Sequence, residues 1–273
     1  MSALPIGVFD SGVGGLSVLN ALRAELPHER FVYVADTAHA PYGERGDAYV
    51  ASRTLAVTRH LIEAHHIKAL VVACNTATAA AIHLLRADHP GLPLVGVEPA
   101  LKPAVAISRT RHIAVLATRS TLASHKFGAL RASLAGQACF SLVPCDGLAA
   151  AIDASDTPGI TALCARYCGA AGIFGTEADQ IDTLVLGCTH YPFVADELRR
   201  HVGGAVRFID TGMPVAQQTR RLLAAADRLA ESGGSVQLLT SGSPAQLDAA
   251  AARWLVHPAG PASLPLPDAL AAA

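Results

Sequence analysis

The sequence lacks any run of basic residues and any excess of one charge. Its 21 lysines and arginines are balanced by 22 aspartates and glutamates, which gives a formal net charge of −1. Proteins that bind nucleic acids or anionic membranes carry clustered Lys and Arg side chains, because these neutralise phosphates. We therefore expect neither a nucleic-acid partner nor a membrane partner.

Long apolar segments are also lacking. The apolar runs, such as residues 70–73 and 183–186, are far shorter than the roughly 18 residues that a membrane helix requires. The first residues carry no basic region, and the apolar stretch reaches Asp10 too early for a secretory signal. These features predict a soluble, cytoplasmic protein.

Six cysteines are present, but no C-x-x-C motif. Cys164 and Cys168 are spaced to share a helix face, yet no second Cys or His pair completes a zinc site, and we interpret them as core residues. Structural disulfides are rare in a reducing compartment. The other thiols, Cys74, Cys139, Cys145 and Cys188, must therefore serve either the core or chemistry.

The fold class follows from an alternation of two patterns. Short β-branched runs predict buried strands, and Ala- and Leu-rich stretches with helical spacing lie between most of them. Such alternation is typical of parallel α/β sheets. The predicted strands are residues 6–9, 31–34, 69–73, 94–97, 113–116, 140–143, 183–186 and 206–209; the clearest helices are residues 16–26, 48–64, 76–86 and 121–132.

The two halves of the chain also resemble each other. LVVACNT at residues 70–76 is similar to LVLGCTH at residues 184–190, and two further strand pairs show comparable offsets. Apolar strands of any α/β protein look alike, so coincidence stays open for the pairs without cysteine. Ligands of parallel α/β sheets bind beyond the carboxyl ends of strands, where Cys74 and Cys188 fall. Two related units facing each other would place these thiols across one cleft.

Cys74 and Cys188 are the strongest candidates for catalysis. Cys74 precedes a helix-forming stretch, and a helix N-terminus favours the thiolate. Cys188 repeats this context in Gly187-Cys188-Thr189-His190-Tyr191-Pro192, where Gly187 permits close backbone approach and Pro192 suits a first helical turn. His190 can tune the Cys188 thiol or exchange a proton with it, or simply be a satisfied buried histidine.

Two loops complete the candidate site. Asp10-Ser11-Gly12-Val13-Gly14-Gly15 partly resembles a dinucleotide loop, but Ser17 stands where its last glycine belongs. The loop can still offer N–H groups to a carboxylate, and Asp10 is either an acid partner of Cys74 or a helix cap. Pro41-Tyr42-Gly43 indicates a turn with an aromatic hydroxyl.

Taken together, these motifs are similar to those of the glutamate racemases in the aspartate/glutamate racemase family. The resemblance covers nearly all of residues 5–255 and also includes Asp36-Thr37-Ala38 and Gly96-Val97-Glu98-Pro99. Ala35 and His39 depart from it, because glycine and arginine are common there. The resemblance implies two pseudo-symmetric α/β domains with the active site in the cleft between them. The expected boundaries are 1–99 plus 208–256 and 100–207, with residues 257–273 a disordered tail.

The resemblance further implies roles for individual residues. Cys74 and Cys188 would be the two acid/base catalysts, supported by Asp10 and His190 respectively. No metal, pyridoxal phosphate or other cofactor is expected, and we expect a homodimer. The substrate glutamate would be bound by Asp10, Ser11, Tyr42, Gly43, Asn75, Thr76, Thr189 and His190.

The expected function is cofactor-independent interconversion of L- and D-glutamate, which supplies D-glutamate for peptidoglycan, cell-wall biogenesis and cell shape. One alternative is a racemase of aspartate or another small acid, with the same cysteines and a different pocket length. A non-catalytic amino-acid-binding protein would not need two matched cysteines. A dithiol redox protein is disfavoured because Cys74 and Cys188 lie 114 positions apart.

Overall fold

The computed structural model describes residues 2–256, 263–267 and 270. The chain divides into two compact units, each with its own sheet and core. The first contains Met1–Val97 and Gly212–Ala273, and the second contains Glu98–Thr211. Within the described residues, no helix is both long enough and apolar enough to cross a membrane.

Strands and helices alternate along the chain. In order they are β1 (Ile6–Asp10), α1 (Leu16–Glu25), β2 (Arg30–Ala35), α2 (Asp47–His65), β3 (Ala69–Val72), α3 (Asn75–Asp88), β4 (Leu94–Gly96), α4 (Leu101–Ile107), β5 (His112–Ala117), α5 (Arg119–Ala123), α6 (His125–Ala132), β6 (Cys139–Pro144), α7 (Leu148–Asp153), α8 (Thr157–Ala171), β7 (Thr183–Leu186), α9 (Ala195–Val202), β8 (Arg207–Ile209), α10 (Gly212–Ala225), β9 (Ser235–Thr240), α11 (Pro244–Trp254) and β10 (Leu264–Pro265). Short 3-10 turns cover Thr37–His39, Tyr42–Glu44 and Tyr191–Val194.

Every strand pairing among the described residues is parallel, as the sequence predicts. The first sheet has the order β10-β9-β2-β1-β3-β4, and the second has the order β6-β5-β7-β8. The block β2-β1-β3-β4 thus repeats in the second unit as β6-β5-β7-β8. The predicted similarity between the halves of the chain is present in the topology, with β3 and β7 at equivalent positions.

The strands of both sheets are deeply buried, as their apolar sequences predict. All five residues of β1 and all four of β3 and β7 are buried, as expected for strands of parallel sheets whose two faces are covered by helices. Phe9 and Val72 belong to the core cluster of the first unit, and Val115 and Val185 belong to that of the second. Burial of each such side chain stabilises the fold by about 1.5–3 kcal/mol.

The described elements differ from the sequence prediction in three places. Strands β9 and β10 were not predicted. The helix predicted over residues 121–132 is broken at Ser124, which is extended and caps α6 by accepting the Phe127 N–H at 3.2 Å. Residue 208, the expected domain boundary, lies inside β8, which pairs with β7, so the chain returns to the first unit only at Gly212.

The expected disordered tail lies partly outside the described residues, namely at 257–262, 268–269 and 271–273. Its described part is different from that expectation. Leu264–Pro265 pairs with β9, and Leu266 is buried against the core of the first unit. Apolar contacts and a strand pairing therefore hold this segment.

Asp182 anchors the start of β7. Its buried carboxylate accepts hydrogen bonds from the Ser108 hydroxyl at 2.6 Å, the Arg109 N–H at 2.6 Å, the Thr110 N–H at 3.2 Å and the Thr183 hydroxyl at 2.8 Å. Burial alone would raise the pKa of Asp182, but these donors lower it to about 2. The ionised carboxylate thereby ties the end of α4 to β7.

We predict that Asp182→Asn lowers the free energy of unfolding by about 1–3 kcal/mol, because an amide cannot accept all these bonds. The lowered pKa also predicts that the contribution is fully present above about pH 4 and is lost as the pH falls toward 2. Urea denaturation at several pH values measures both effects. Asp179→Asn is the matched control, since that side chain is 94% exposed. Equal stability of the two variants at pH 7 would contradict the assignment.

Candidate active site

Neighbouring strands bring Asp10, Ser11 and Cys74 together in the first unit. β1 pairs with β3 in the register Phe9 to Val72, so both strands end at the same edge of the sheet. Asp10 is the last residue of β1, and Cys74 lies two residues beyond β3. The Ser11 hydroxyl lies 3.2 Å from Asp10 Oδ1 and 3.4 Å from Cys74 Sγ, linking the carboxylate to the thiol.

Cys74 is the N-cap of α3 and is 5% exposed. Its Sγ accepts the Ala77 N–H at 3.4 Å, as the predicted helix N-terminus requires. A hydroxyl carries one hydrogen and also accepts, so Ser11 can accept from the thiol or donate to the thiolate. Donors at a helix N-terminus favour the charged form of sulfur. The arrangement therefore suits a cysteine that alternates between thiol and thiolate.

Asp10 also organises its own loop. The buried Oδ2 accepts a short hydrogen bond from the Gly15 N–H. A Cβ atom on Gly15 would lie 2.7 Å from Asp10 Cβ and 2.9 Å from Oδ2, so this residue must be glycine for Asp10 to keep its place. The N-cap of α1 is Gly15, and no side chain caps this helix, so the interpretation of Asp10 as a helix cap is wrong. One carboxylate oxygen of Asp10 binds the Gly15 N–H, and the other binds Ser11, which links Asp10 to Cys74.

Asn75 and Thr76 follow Cys74 in the first turn of α3, and both are buried. Within the described part of the chain, neither the Nδ2 nor the Oδ1 atom of Asn75 has a hydrogen-bond partner. An unsatisfied buried polar group costs about 1–3 kcal/mol. A bound polar ligand can satisfy this free donor and acceptor on the residue that follows Cys74.

Tyr42 binds a buried ion pair. Its hydroxyl donates to Asp36 Oδ2 at 2.5 Å, and Arg53 donates to both Asp36 oxygens at 3.0 and 2.8 Å. Burial raises the pKa of the Tyr42 phenol, and the charges of Asp36 and Cys74 raise it further, so the phenol stays neutral. The hydroxyl therefore faces Asp36. A ligand could be bound by the backbone N–H groups of Tyr42 and Gly43 rather than by this hydroxyl, since the two residues begin a helical turn.

Cys188 has different surroundings from those expected. It lies two residues beyond β7 and is 7% exposed, which matches Cys74. However, the Tyr191 N–H donates to the Cys188 carbonyl at 3.1 Å, and the chain passes through a 3-10 turn before α9 begins at Ala195. The prediction that Cys188 repeats the helix-cap context is wrong, because this turn separates it from the helix.

His190 takes the place of that helix N-terminus. Its Nδ1 lies 3.6 Å from Cys188 Sγ, and its Nε2 lies 2.9 Å from Asp153 Oδ1. Burial lowers the pKa of His190, but the charge and hydrogen bond of Asp153, together with Cys188, raise it well above 6.5. A protonated imidazole next to the sulfur stabilises the thiolate. Thr189 is buried beside these two residues.

Gly187 permits the close approach that the sequence predicts. A Cβ atom there would lie 2.8 Å from the Leu116 carbonyl oxygen and 2.9 Å from Ala117 Cβ on the neighbouring strand β5. Backbone atoms cannot move aside as a flexible side chain can. The chain can therefore lead from β7 to Cys188 only with glycine at this position.

The other cysteines do not share these features. Cys164 and Cys168 are buried on α8, where burial raises the pKa of Cys164 to about 12 and that of Cys168 to about 11, so their assignment to the core is confirmed. Burial also raises the pKa of Cys145, and Cys139 is exposed. Among the described side chains, no group of three or more His, Cys, Asp or Glu residues could hold a metal ion.

The predicted residues thus form two groups. The first unit contains Asp10, Ser11, Tyr42, Gly43, Cys74, Asn75 and Thr76, and the second contains Cys188, Thr189 and His190. Sequence reasoning missed Asp153, which has no motif around it and is 37 residues from its partner His190. It also gave no role to Asp36 or Arg53, although Asp36 directly follows a strand end.

A family comparison matches most of the chain. The model for Asp/Glu/hydantoin racemases matches residues 16–219. The chain belongs to the Asp/Glu/hydantoin racemase family. A glutamate racemase of Ralstonia nicotianae is 50% identical over 224 residues, which cover 81% of this chain and 78% of the relative.

Solved structures agree with this assignment. A glutamate racemase isoform from Bacillus anthracis aligns with a TM-score of 0.85 and 29% identity, covering 97% of this chain and 98% of that one. The Escherichia coli glutamate racemase, solved with L-glutamate and the activator UDP-MurNAc-Ala, aligns with a TM-score of 0.79 and 28% identity, covering 92% and 95%. These neighbours share the two-sheet α/β fold.

We predict that Asp153→Asn lowers the pKa of His190, because the nearest negative charge is removed while the hydrogen-bond geometry is kept. Nuclear magnetic resonance of the histidine rings against pH measures the shift, with the His190 signal identified by its loss in His190→Gln. Asp156→Asn is the matched control, since Asp156 caps α8 through the Gly159 N–H and asparagine caps equally well. An unchanged His190 titration in Asp153→Asn would contradict the assignment.

Proposed function

We propose that this chain is a glutamate racemase that interconverts L- and D-glutamate without a metal or an organic cofactor. The observation that carries the proposal is the pair of buried cysteines at equivalent positions of two related sheets, each next to groups that stabilise a thiolate. Its family and the 50% identity to a glutamate racemase support the substrate.

Racemisation requires a base on one face of the α-carbon and an acid on the other. One cysteine, as thiolate, removes the α-proton, and the other, as thiol, delivers a proton to the opposite face. The two cysteines exchange protonation states in each turnover. The proposal therefore requires Cys74 and Cys188 to reach opposite faces of the same α-carbon.

On the Cys74 side, the Ser11 hydroxyl can change its hydrogen-bond partner when the protonation state of the sulfur changes. When the sulfur is a thiolate, the Ser11 hydroxyl and the Ala77 N–H both donate to it. When the sulfur is protonated, Ser11 can donate to Asp10 instead. Asp10 thus supports the thiol form, and the helix N-terminus supports the thiolate, so that neither state is excessively stable.

On the Cys188 side, the Asp153–His190 pair performs the corresponding role. Asp153 holds the imidazole through Nε2, so that Nδ1 faces the sulfur. The raised pKa of His190 favours the imidazolium, whose positive charge near Cys188 stabilises the thiolate that remains after proton delivery. His190 can also return a proton to that sulfur between turnovers.

Deprotonation of the α-carbon is difficult because this proton is far less acidic than a thiol. Donors aimed at the α-carboxylate stabilise the charge that develops there. We assign this role to Asn75, whose buried amide has no partner among the described residues, and to the buried Thr76 and Thr189. The N–H groups of Tyr42 and Gly43 would hold the other carboxylate.

Aspartate is the main alternative substrate, since the family description includes it. The identity to glutamate racemases and the Pro41-Tyr42-Gly43 loop favour glutamate. We further propose that the enzyme acts in the cytoplasm as a homodimer and supplies D-glutamate for peptidoglycan, cell-wall biogenesis and cell shape.

Substrate choice and cofactor independence can be tested together. Purified protein should racemise glutamate in the presence of a chelator and without pyridoxal phosphate, as followed by circular dichroism. Aspartate should react far more slowly, because binding its shorter side chain moves the α-carbon away from both sulfurs. Loss of activity on chelation, or equal rates with both acids, would contradict the proposal.

Single substitutions separate the roles of the two cysteines. Cys74→Ser and Cys188→Ser should each nearly abolish racemisation, because a hydroxyl is a much weaker acid and base than a thiol. A glutamate analogue with a leaving group at the β-carbon needs only deprotonation to eliminate. By similarity to the family, Cys74→Ser should retain elimination with the L-enantiomer and Cys188→Ser with the D-enantiomer.

The keto-acid product reports elimination with each variant and each enantiomer. Cys139→Ser is the control, since that thiol is exposed and should leave all activities intact. If both catalytic variants keep the same enantiomer, the assignment of one cysteine to each face is wrong.

A further inference from the structure

The loop that carries Tyr42 is attached to the end of a strand from a distant part of the sequence. This loop, residues 36–45, follows β2, and β9 pairs with β2 in the register Ala35 to Thr240. The two strands are parallel, so β9 ends at Thr240 beside the start of the Tyr42 loop, and residues 241 and 242 follow directly after it. We name residues 240–242 the brace.

The brace binds the loop through backbone and side chains. The Thr37 and Thr240 hydroxyls are 2.8 Å apart, and the Ala38 N–H donates to Ser241 Oγ at 3.1 Å. The Ser241 N–H donates to the Ala35 carbonyl at 3.2 Å, which extends the strand pairing by one residue. Thr240 is fully buried, so its hydroxyl requires these partners.

Gly242 shows how closely the two segments pack. Its N–H donates to Thr240 Oγ1 at 3.1 Å. A Cβ atom on Gly242 would lie 2.4 Å from Thr37 Oγ1 and 3.4 Å from the Ala38 nitrogen. Glycine is therefore required because of the neighbouring loop, and any larger residue must displace Thr37 or break its hydrogen bond to Thr240.

A displacement of Thr37 reaches Tyr42 through Asp36. Asp36 directly precedes Thr37, and its carboxylate is bound by the Tyr42 hydroxyl and by Arg53. Arg53 restrains this carboxylate from α2, while the brace restrains the adjacent backbone. The start of the loop is thus held from both sides, and the position of Tyr42 and Gly43 depends on it.

We propose that Thr240, Ser241 and Gly242 are positioning residues for substrate binding, acting through the Tyr42 loop. This inference depends on the proposed function, in which the Tyr42 and Gly43 N–H groups hold a glutamate carboxylate. Such contacts exist in the ground state and in the transition state alike. Their loss raises KM and leaves kcat nearly unchanged.

The first test is Gly242→Ala, which should raise the KM of both L- and D-glutamate about tenfold and change kcat by less than about twofold. Gly46→Ala is the matched control, because Gly46 lies just beyond the same loop and no atom lies within 4 Å of an added Cβ. Its KM should equal that of the wild type. An unchanged KM in Gly242→Ala would overturn the proposal while leaving the proposed function intact.

A second pair of variants separates positioning from general packing and serves if Gly242→Ala does not fold. Thr240→Ser keeps the hydroxyl and should retain the wild-type KM. Thr240→Val keeps the shape without the hydroxyl and should raise KM in the same way as Gly242→Ala. Equal KM values for the serine and valine variants would contradict the proposal.

Hydrogen exchange provides a readout that does not depend on activity. In Gly242→Ala and Thr240→Val, amides of residues 37–45 should exchange faster than in the wild type, whereas those of β3 should be unchanged. If the wild-type protein did not racemise glutamate, the proposed function would fail, and this measurement would still test the brace. Unchanged exchange in the loop would overturn the inference.

Discussion

The register of the parallel strands is the constraint on which both halves of the site depend. Parallel strands end at one edge of a sheet, so residues distant in sequence meet there without a long loop. In the first unit this edge brings together the ends of β1, β2, β3 and β9. A shift of one residue between β1 and β3 would turn every side chain of the shifted strand to the opposite face and separate Ser11 from Cys74.

The two cysteines occupy equivalent positions but obtain their chemistry differently. Cys74 is supported by neutral donors, namely a helix N–H and the Ser11 hydroxyl. The Asp10 carboxylate reaches it only through a hydrogen bond to Ser11. Cys188 is supported by an imidazole whose pKa is raised by Asp153. A charged partner responds to pH and to the loss of Asp153, whereas a helix N-terminus does not. Proton removal from the two enantiomers would therefore be supported by different groups, although both cysteines act in each direction of the proposed reaction.

Much of the architecture was predictable because parallel α/β strands are continuous apolar runs. All eight predicted strands are present, and the repeated Cys context indicated equivalent strand ends. Strand β9 was missed because its sequence, SVQLLT, carries a polar residue in the middle, and its place beside β2 depends on a contact across about 200 residues.

Local signals were less informative about side-chain partners. The helix predicted directly after Cys188 is delayed by a turn that the Tyr191 N–H closes, and Pro192 fits that 3-10 turn as well as a helix. Asp153 and Arg53 could not be assigned, because an acid at a helix end and an arginine within a helix are ordinarily exposed. Their burial or pairing arises only when distant elements pack.

In the proposed mechanism each cysteine serves one face of the substrate. Racemisation of L-glutamate in deuterium oxide, stopped at low conversion and analysed by mass spectrometry of the separated enantiomers, tests it most directly. Because the proton delivered to the product comes from a different, solvent-exchanged thiol, the D-glutamate should carry deuterium at the α-carbon while the recovered L-glutamate carries none. Deuterium in both enantiomers, or a product that retains the original proton, would contradict the account.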